Sequence, residues 1–338
     1  MQRVLIVMPV YNEASHLQNV LDSITRQDFD HRRLYFIAVD GRSSDESPQI
    51  LKKWLSSGDI DGVALSNPLR NIPVSLNLAL QRATADDIVV RLDAHTLYGS
   101  RYLSEAIEAL EAAPQDVGCI GAGHVPVHCT VFPKRIVEAL YTNPMGLGGA
   151  DYRCGDHVRE VDHAYLGVWR PGLLRRAGGF NETLEANEDA EMSARIRALG
   201  YRILRVPLPC QFIVNRGPWG AIRQWHRYGY WRAKMLACNP GCIRRRHVIV
   251  PLAALFAVAL AFSPWRFILV TLFIVYAGLV FRARAKQEPL PVTLATLVFF
   301  PALQFAYAVG LLRGLLTRRR NVRRPIESAG ALSGDEFV

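Results

Sequence analysis

The sequence predicts an α/β fold, a mostly parallel sheet of the Rossmann type, followed by C-terminal transmembrane helices. Three observations predict it. Short apolar runs, Val4–Val7, Tyr35–Val39 and Ile88–Leu92, each lead into a polar cluster, as buried parallel strands do. Helical periodicity follows the first of them through Leu17, Val20, Leu21 and Ile24. Near the other end, residues 248–281 and 290–316 carry one arginine each, Arg266 and Arg313, and no acid. A helix needs about 20 apolar residues to cross a bilayer.

The elements follow in order. Pro9-Val10-Tyr11-Asn12-Glu13 leaves the first strand, and Asp40-Gly41-Arg42-Ser43-Ser44-Asp45 leaves the second. In open α/β sheets ligands collect beyond the carboxyl ends of the strands, so Tyr11, Glu13, Asp40 and Asp93 are expected to line one cleft. Asn67-Pro68-Leu69-Arg70-Asn71 is a turn before a helix from Val74 to Leu80. Asp93-Ala94-His95 follows the third apolar run. Alternate residues at a strand end share a face, so a carboxylate and an imidazole converge there and can hold a divalent cation against a diphosphate. A strand with an ordinary polar turn has the same letters, and the triplet takes its weight from its neighbours. Gly178-Gly179-Phe180-Asn181-Glu182 leads to Asn187-Glu188-Asp189-Ala190-Glu191, which opens a helix carrying Met192, Ile196 and Leu199 and stopping at Gly200. Acids in a first turn also serve simply to complement the helix dipole. Gln224-Trp225-His226-Arg227-Tyr228, near Trp219, Tyr230 and Trp231, reads equally as a site helix or as one lying at a membrane interface.

Charge and cysteine content narrow the class. The chain of 338 residues has a formal net charge of +10, unevenly spread: residues 1–215 hold 22 Lys+Arg, whereas residues 216–324 hold 18 against the single acid Glu288. Because the basic clusters flank apolar runs, membrane lipid is the expected partner and nucleic acid is not. The six cysteines, Cys119, Cys129, Cys154, Cys210, Cys238 and Cys242, suit a reducing compartment, and Cys238 with Cys242 lacks the second ligand pair of a zinc site. Met1 leads at once into a strand, so no cleavable signal is expected and the catalytic part is expected on the cytoplasmic face of the inner membrane. The expected organisation is a catalytic domain over 1–235, a membrane region over 236–317 with two or three hydrophobic segments (about 248–264, 265–281 and 290–316), and a basic then flexible tail over 318–338. The first two segments read as a tight hairpin. The third, with Pro301 at its middle, is either re-entrant or places the basic segments 282–286 and 318–324 on opposite sides.

Taken together, the motifs resemble those of the family 2 glycosyltransferases, inverting enzymes with a GT-A nucleotide-sugar fold, over roughly residues 3–235. Pro9 to Glu13 is similar to the family's opening motif, and Asp40 to Asp45 stands where the family shows Asp-Asp-Gly-Ser-Thr-Asp. The resemblance implies that Pro9, Tyr11, Glu13 and Asp40 bind the nucleotide, that Arg70 reaches its diphosphate, and that Asp93 with His95 takes the place of the Asp-x-Asp metal motif for Mn²⁺ or Mg²⁺. It implies that Glu188-Asp189 is the pair containing the base, with Asp189 preferred, and that Gln224, Trp225, Arg227 and Tyr228 form the Gln-x-x-Arg-Trp motif toward acceptor and diphosphate. His95 departs from the family's carboxylate and favours the softer Mn²⁺. Within the family the likeness is to the succinoglycan-type glucosyltransferases. The expected reaction moves a sugar, glucose on this likeness, from a UDP-sugar donor to a hydroxyl of a polyprenyl-diphosphate-linked saccharide in exopolysaccharide assembly. A polyprenyl-phosphate sugar synthase, a processive polysaccharide synthase and a non-catalytic nucleotide-sugar-binding membrane protein are the alternatives.

Overall fold

A computed structural model describes residues 2–143, 157–239, 246–283 and 288–317; the tail after Pro325, the basic segments 284–286 and 318–324, Cys154 and Cys242 lie outside the described residues. These divide into two compact units, one of residues 2–124 and 157–213, the other of residues 125–143 and 214–317.

In the first unit strands and helices alternate. β1 (Val4–Val10), α1 (Ala14–Thr25), β2 (Leu34–Asp40), α2 (Ser47–Leu55), β3 (Gly62–Ser66), α3 (Ile72–Gln81) and β4 (Ile88–Arg91) come first. β5 (Thr96–Tyr98), α4 (Tyr102–Ala112) and β6 (Val117–Ala122) follow. After α5 (Phe132–Thr142), which belongs to the other unit, come β7 (Arg159–Glu160), β8 (Tyr165–Trp169), α6 (Leu173–Arg176), α7 (Glu188–Ala198), β9 (Arg202–Arg205) and β10 (Cys210–Phe212). Eight strands form one sheet in the order β3-β2-β1-β4-β8-β6-β9-β7. β1 to β4 run parallel, and β8 lies antiparallel between β4 and β6. β5 and β10 make a small separate antiparallel ribbon.

The register explains where the polar clusters emerge. β1 pairs with β2 from Val4↔Leu34 to Val10↔Asp40, but with β4 only from Val4↔Ile88 to Val7↔Arg91. β1 therefore runs past the expected end at Val7. Pro9 lies inside it, where β4 no longer flanks β1 and a missing N–H is tolerated. Both faces of the sheet are covered. Leu17, Val20, Leu21 and Ile24 of α1 are fully buried, and Phe36 meets Trp54 of α2 edge-on at 4.9 Å. α3 is buried at eight successive positions, Pro73 to Leu80, so its pattern is mostly apolar and its two buried polar side chains, Ser75 and Asn77, are hydrogen-bonded.

The second unit is helical: α5, α8 (Pro218–Cys238), α9 (Arg246–Ala261), α10 (Ile268–Arg282) and α11 (Leu290–Leu316). The boundary expected after residue 235 falls inside α8. The two segments expected as a hairpin are helices of 16 and 15 residues. Among the described residues, α11, with 27, is the helix long and apolar enough to cross a membrane; α9 and α10 are shorter apolar helices.

Candidate active site

The carboxyl ends of the adjacent strands β1, β2, β3 and β4 present the polar clusters together. Two of their loops are tied to each other. The Asn12 N–H donates to Ser43 Oγ at 2.8 Å, the Ser44 N–H donates to Asn12 Oδ1 at 2.8 Å, and the Ala14 N–H donates to Asp45 Oδ2 at 3.0 Å. Asp40 is buried and accepts from both the Ser43 N–H, at 3.0 Å, and the Ser43 hydroxyl, at 2.6 Å. Asp40 thus shapes the turn that throws Arg42 into the left-handed region, with φ 56°. Asn12 and Arg70 share that conformation, with φ 54° each. For non-glycine residues this is uncommon and costs about 1 kcal/mol or more, so strain gathers on this rim. Tyr11 is half exposed there, and the Arg70 guanidinium stands 5.6 Å from its ring centre. Asn67, fully buried, holds the Arg70 turn by donating to the Asn71 carbonyl at 2.8 Å and to Ser75 Oγ at 2.9 Å.

β4 stops at Arg91, two residues before Asp93, so Asp93 and His95 sit in the turn between β4 and β5 and strand alternation does not set their directions. Their neighbours differ. His95 Nδ1 lies 3.2 Å from Glu13 Oε1, while Asp93 Oδ1 accepts from Arg91 Nε at 3.1 Å. Tyr98 pins the turn: its hydroxyl accepts from the Asp93 N–H at 2.7 Å and donates to the Asp93 carbonyl at 3.1 Å. Among the described residues no three His, Cys, Asp or Glu side chains gather as a metal cage.

Arg91 is the residue that sequence reasoning passed over. Its buried guanidinium reaches Asp93, Glu188 Oε1 at 3.1 Å and Asp189 Oδ1. One cation thereby gathers three carboxylates, two of which lie 97 and 98 residues away in sequence. A charge inside the apolar run Ile88–Leu92 was the available signal, because a buried arginine has to be paired. Glu188 and Asp189 begin α7 after Asn187, whose φ is 66°. The loop before them is fastened to α3: Asn77 donates to the Phe180 carbonyl at 2.9 Å and to Glu182 Oε1 at 2.8 Å, and accepts from the Phe180 N–H at 2.7 Å. Burial pushes the Asp189 carboxyl above the ordinary carboxylate range. The Arg91 guanidinium pulls it back, and the charges of Glu188 and Asp93 add to the rise.

The remaining predicted residues lie on α8, in the helical unit. Tyr141 of α5 donates to Gln224 Oε1 at 3.0 Å, and Gln224 Nε2 donates to the Tyr228 hydroxyl at 2.6 Å. Trp225 is buried, with its ring 5.5 Å from that of Tyr141 and 5.7 Å from that of Tyr228. Its indole packs within this unit, between the rings of Tyr141 and Tyr228. Arg227 is exposed.

The model of glycosyl transferase family 2 matches residues 5–159, and that of glycosyl transferase family group 2 matches residues 88–311. The succinoglycan biosynthesis protein ExoA of Rhizobium meliloti is 27% identical over 231 residues, 68% of either chain. A Methanococcus voltae protein, dolichyl N-acetyl-α-D-glucosaminyl phosphate 3-β-D-2,3-diacetamido-2,3-dideoxy-β-D-glucuronosyltransferase, is 17% identical over 211 residues, 61% of this chain and 65% of its own. Among solved structures, the mannosyltransferase PcManGT from Pyrobaculum calidifontis, in complex with GDP-Man and Mn²⁺, has a TM-score of 0.60 at 24% identity and covers 92% of this chain and 87% of that one. That likeness shows the fold, a GT-A sheet.

Proposed function

We propose, from the premise that this chain belongs to glycosyltransferase family 2, that it transfers a sugar from a UDP-sugar to a hydroxyl of a polyprenyl-linked saccharide, with inversion, in exopolysaccharide assembly. The relative's role in succinoglycan biosynthesis supports the glycan context. The archaeal relative, whose name gives a dolichyl phosphate sugar, supports a lipid-borne acceptor. The observation that carries the reading is the Arg91 cluster, which sets the acid of the β4 turn beside the two acids that open α7.

In this reading Asp189 takes the proton from the acceptor hydroxyl as its oxygen attacks the anomeric carbon, on the side opposite the departing diphosphate. A carboxyl raised toward neutrality suits that task, since a general base works best with a pKa near the working pH. Arg91 orients both Glu188 and Asp189. Tyr11 offers a ring for the base, and Arg70 offers positive charge to the diphosphate.

The residues present fit a divalent cation. Asp93 and His95 supply an oxygen and a nitrogen donor, and sites that act on diphosphates commonly use one or two protein ligands with the substrate's oxygens completing the shell. A bound Mn²⁺ or Mg²⁺ would neutralise charge on the leaving diphosphate. Glu13 at Nδ1 orients the His95 ring, a carboxylate–histidine arrangement typical of metal ligands.

The test is UDP release from a panel of UDP-sugars by the membrane-reconstituted chain with Mn²⁺ and a lipid-linked acceptor extract, comparing wild type with Asp189→Asn. Release from one donor, falling about 10²–10⁴-fold in the variant, is expected. Equal release from both would favour transfer to a polyprenyl phosphate, which is already ionised and needs no base. The pairing of Asp189 with Arg91 is the observation behind that second reading.

A further inference from the structure

Helix α11 is long enough to cross a membrane, yet its two sides differ along its whole length. Leu294, Val298, Phe305, Val309, Leu312 and Leu316 are exposed. At about 100° per residue they fall on one narrow arc, so a single apolar stripe runs from end to end. From Phe299 to Thr317 the other side is covered by α8. A Cβ at Gly310 would overlap the His226 carbonyl, and one at Gly229 would overlap the Tyr307 carbonyl; at Gly314 the Tyr230 carbonyl and Ala233 block the space in the same way. Gly310 and Gly314 each lie two positions from Leu312, about 200° round the helix, so α8 is seated opposite the stripe.

The two helices run alongside each other in the same direction. Trp219 meets Phe299 edge-on at 5.8 Å near one end, and Lys234 Nζ donates to the Thr317 carbonyl at 2.7 Å at the other. The stretch of α8 between them carries Arg223, Arg227, Arg232 and Lys234, with Arg223 and Arg227 exposed and no acid among them. If α11 stood across a bilayer, these cations would be carried into the hydrocarbon alongside it, where charged side chains are costly.

We propose that α11 does not cross the membrane but lies along its surface, with its stripe in the acyl region of one leaflet and α8 stacked on its water side. The occupant of the apolar face is a bilayer with anionic headgroups. The charge argues for it: the exposed arginines of α8 flank the seam at the height of the lipid phosphates, and Trp219, largely exposed, suits the same interface. The seat is independent of which sugar is transferred and of which acid serves as base.

The experiment places nitroxide spin labels on single added cysteines at Leu294, Phe305 and Leu316 of the full chain. The background carries Cys238→Ser, and each signal is read against that background without the added cysteine. Val298→Cys and Val309→Cys replace any variant that does not fold. Depth is measured from the relative quenching by oxygen and by a water-soluble nickel chelate, in phosphatidylglycerol-containing bilayers. The expected result is one shallow depth at all three positions, about 5–10 Å below the headgroups. A deep middle label with two shallow ends would show a crossing helix and overturn the proposal. Labels open to the nickel chelate throughout would show that no lipid covers the stripe and would overturn it as well.

Discussion

Arg91 draws Asp93, Glu188 and Asp189 together, so the charge of that one side chain bears on how readily Asp189 ionises. Burial raises Asp189 and Arg91 lowers it. A base acts when deprotonated, so activity is lost as the pH falls through its pKa. Removing the guanidinium removes the lowering influence, and the acid limb of kcat should therefore move to higher pH in Arg91→Met. Arg91→Lys keeps the charge but not the fork that reaches three carboxylates, so its limb should move less while the rate still falls. The measurement is kcat against pH for the three proteins; superimposable acid limbs would remove Asp189 from the role of an Arg91-tuned base. Tyr98 acts on the same turn without touching the acids' charge. Tyr98→Phe leaves the Asp93 N–H without its acceptor in a buried place, and a loss of about 1–3 kcal/mol is expected in urea unfolding.

Between elements, the amino end of β1 is fixed to β4 by Asp87, a buried acid that accepts from Arg3 Nε at 2.9 Å and Nη2 at 2.7 Å and from the Thr84 N–H at 2.6 Å. Burial works to raise this carboxyl, but the hydrogen bonds from Arg3 and Thr84 prevail and hold it below the ordinary value. Asp87→Ala should cost about 1–3 kcal/mol near neutral pH, because the N–H of Thr84 and the half-exposed Arg3 lose their acceptor. For a depressed carboxyl the stabilisation is present above the unfolded pKa, about 3.9, and is lost as pH falls through the folded one. Urea midpoints of wild type and variant should accordingly converge below about pH 4, with transferase activity per folded molecule unchanged. Much at this scale was legible in the sequence. β1, β2 and β4 declared themselves through apolar runs ending in polar clusters, and α7 through its acidic first turn and the helical spacing of Met192 and Ile196; the GT-A fold was what the resemblance of the motifs implied. β8 did not: its run Tyr165–Trp169 is short, and its antiparallel place between β4 and β6 is fixed by partners more than forty residues away, which no local pattern carries. The end of β4 at Arg91 was hidden for a related reason, since the Asp93 turn is held by Tyr98 and Arg91 rather than by its own residues. Each motif expected at a strand end lies beside one, but the guanidinium that joins Asp93 to Glu188 and Asp189 is a tertiary fact.

For the whole chain, the uneven charge and the apolar stripe act on the same partner by different physics, and salt separates them. Residues 216–324 hold 18 Lys+Arg against one acid, so attraction to an anionic surface is strong at low salt. It fades once the Debye length shrinks from about 10 Å at 0.1 M to about 3 Å at 1 M. Burial of apolar side chains does not weaken in that way. Binding of the full chain to phosphatidylglycerol vesicles should therefore fall with salt to a plateau above zero, and binding to phosphatidylcholine vesicles should sit near that plateau throughout. Two substitutions test the assignment. Arg223→Ser, which removes an exposed cation worth about 1 kcal/mol near an anionic surface, should weaken low-salt binding about fivefold and leave the plateau unchanged. Val309→Ser, which removes an apolar contact on the stripe of α11, should lower the plateau and leave the salt-dependent part intact. Should both substitutions instead lower the two parts in proportion, charge and stripe would not be separate contacts with lipid, and the basic helix would have to be assigned a different partner.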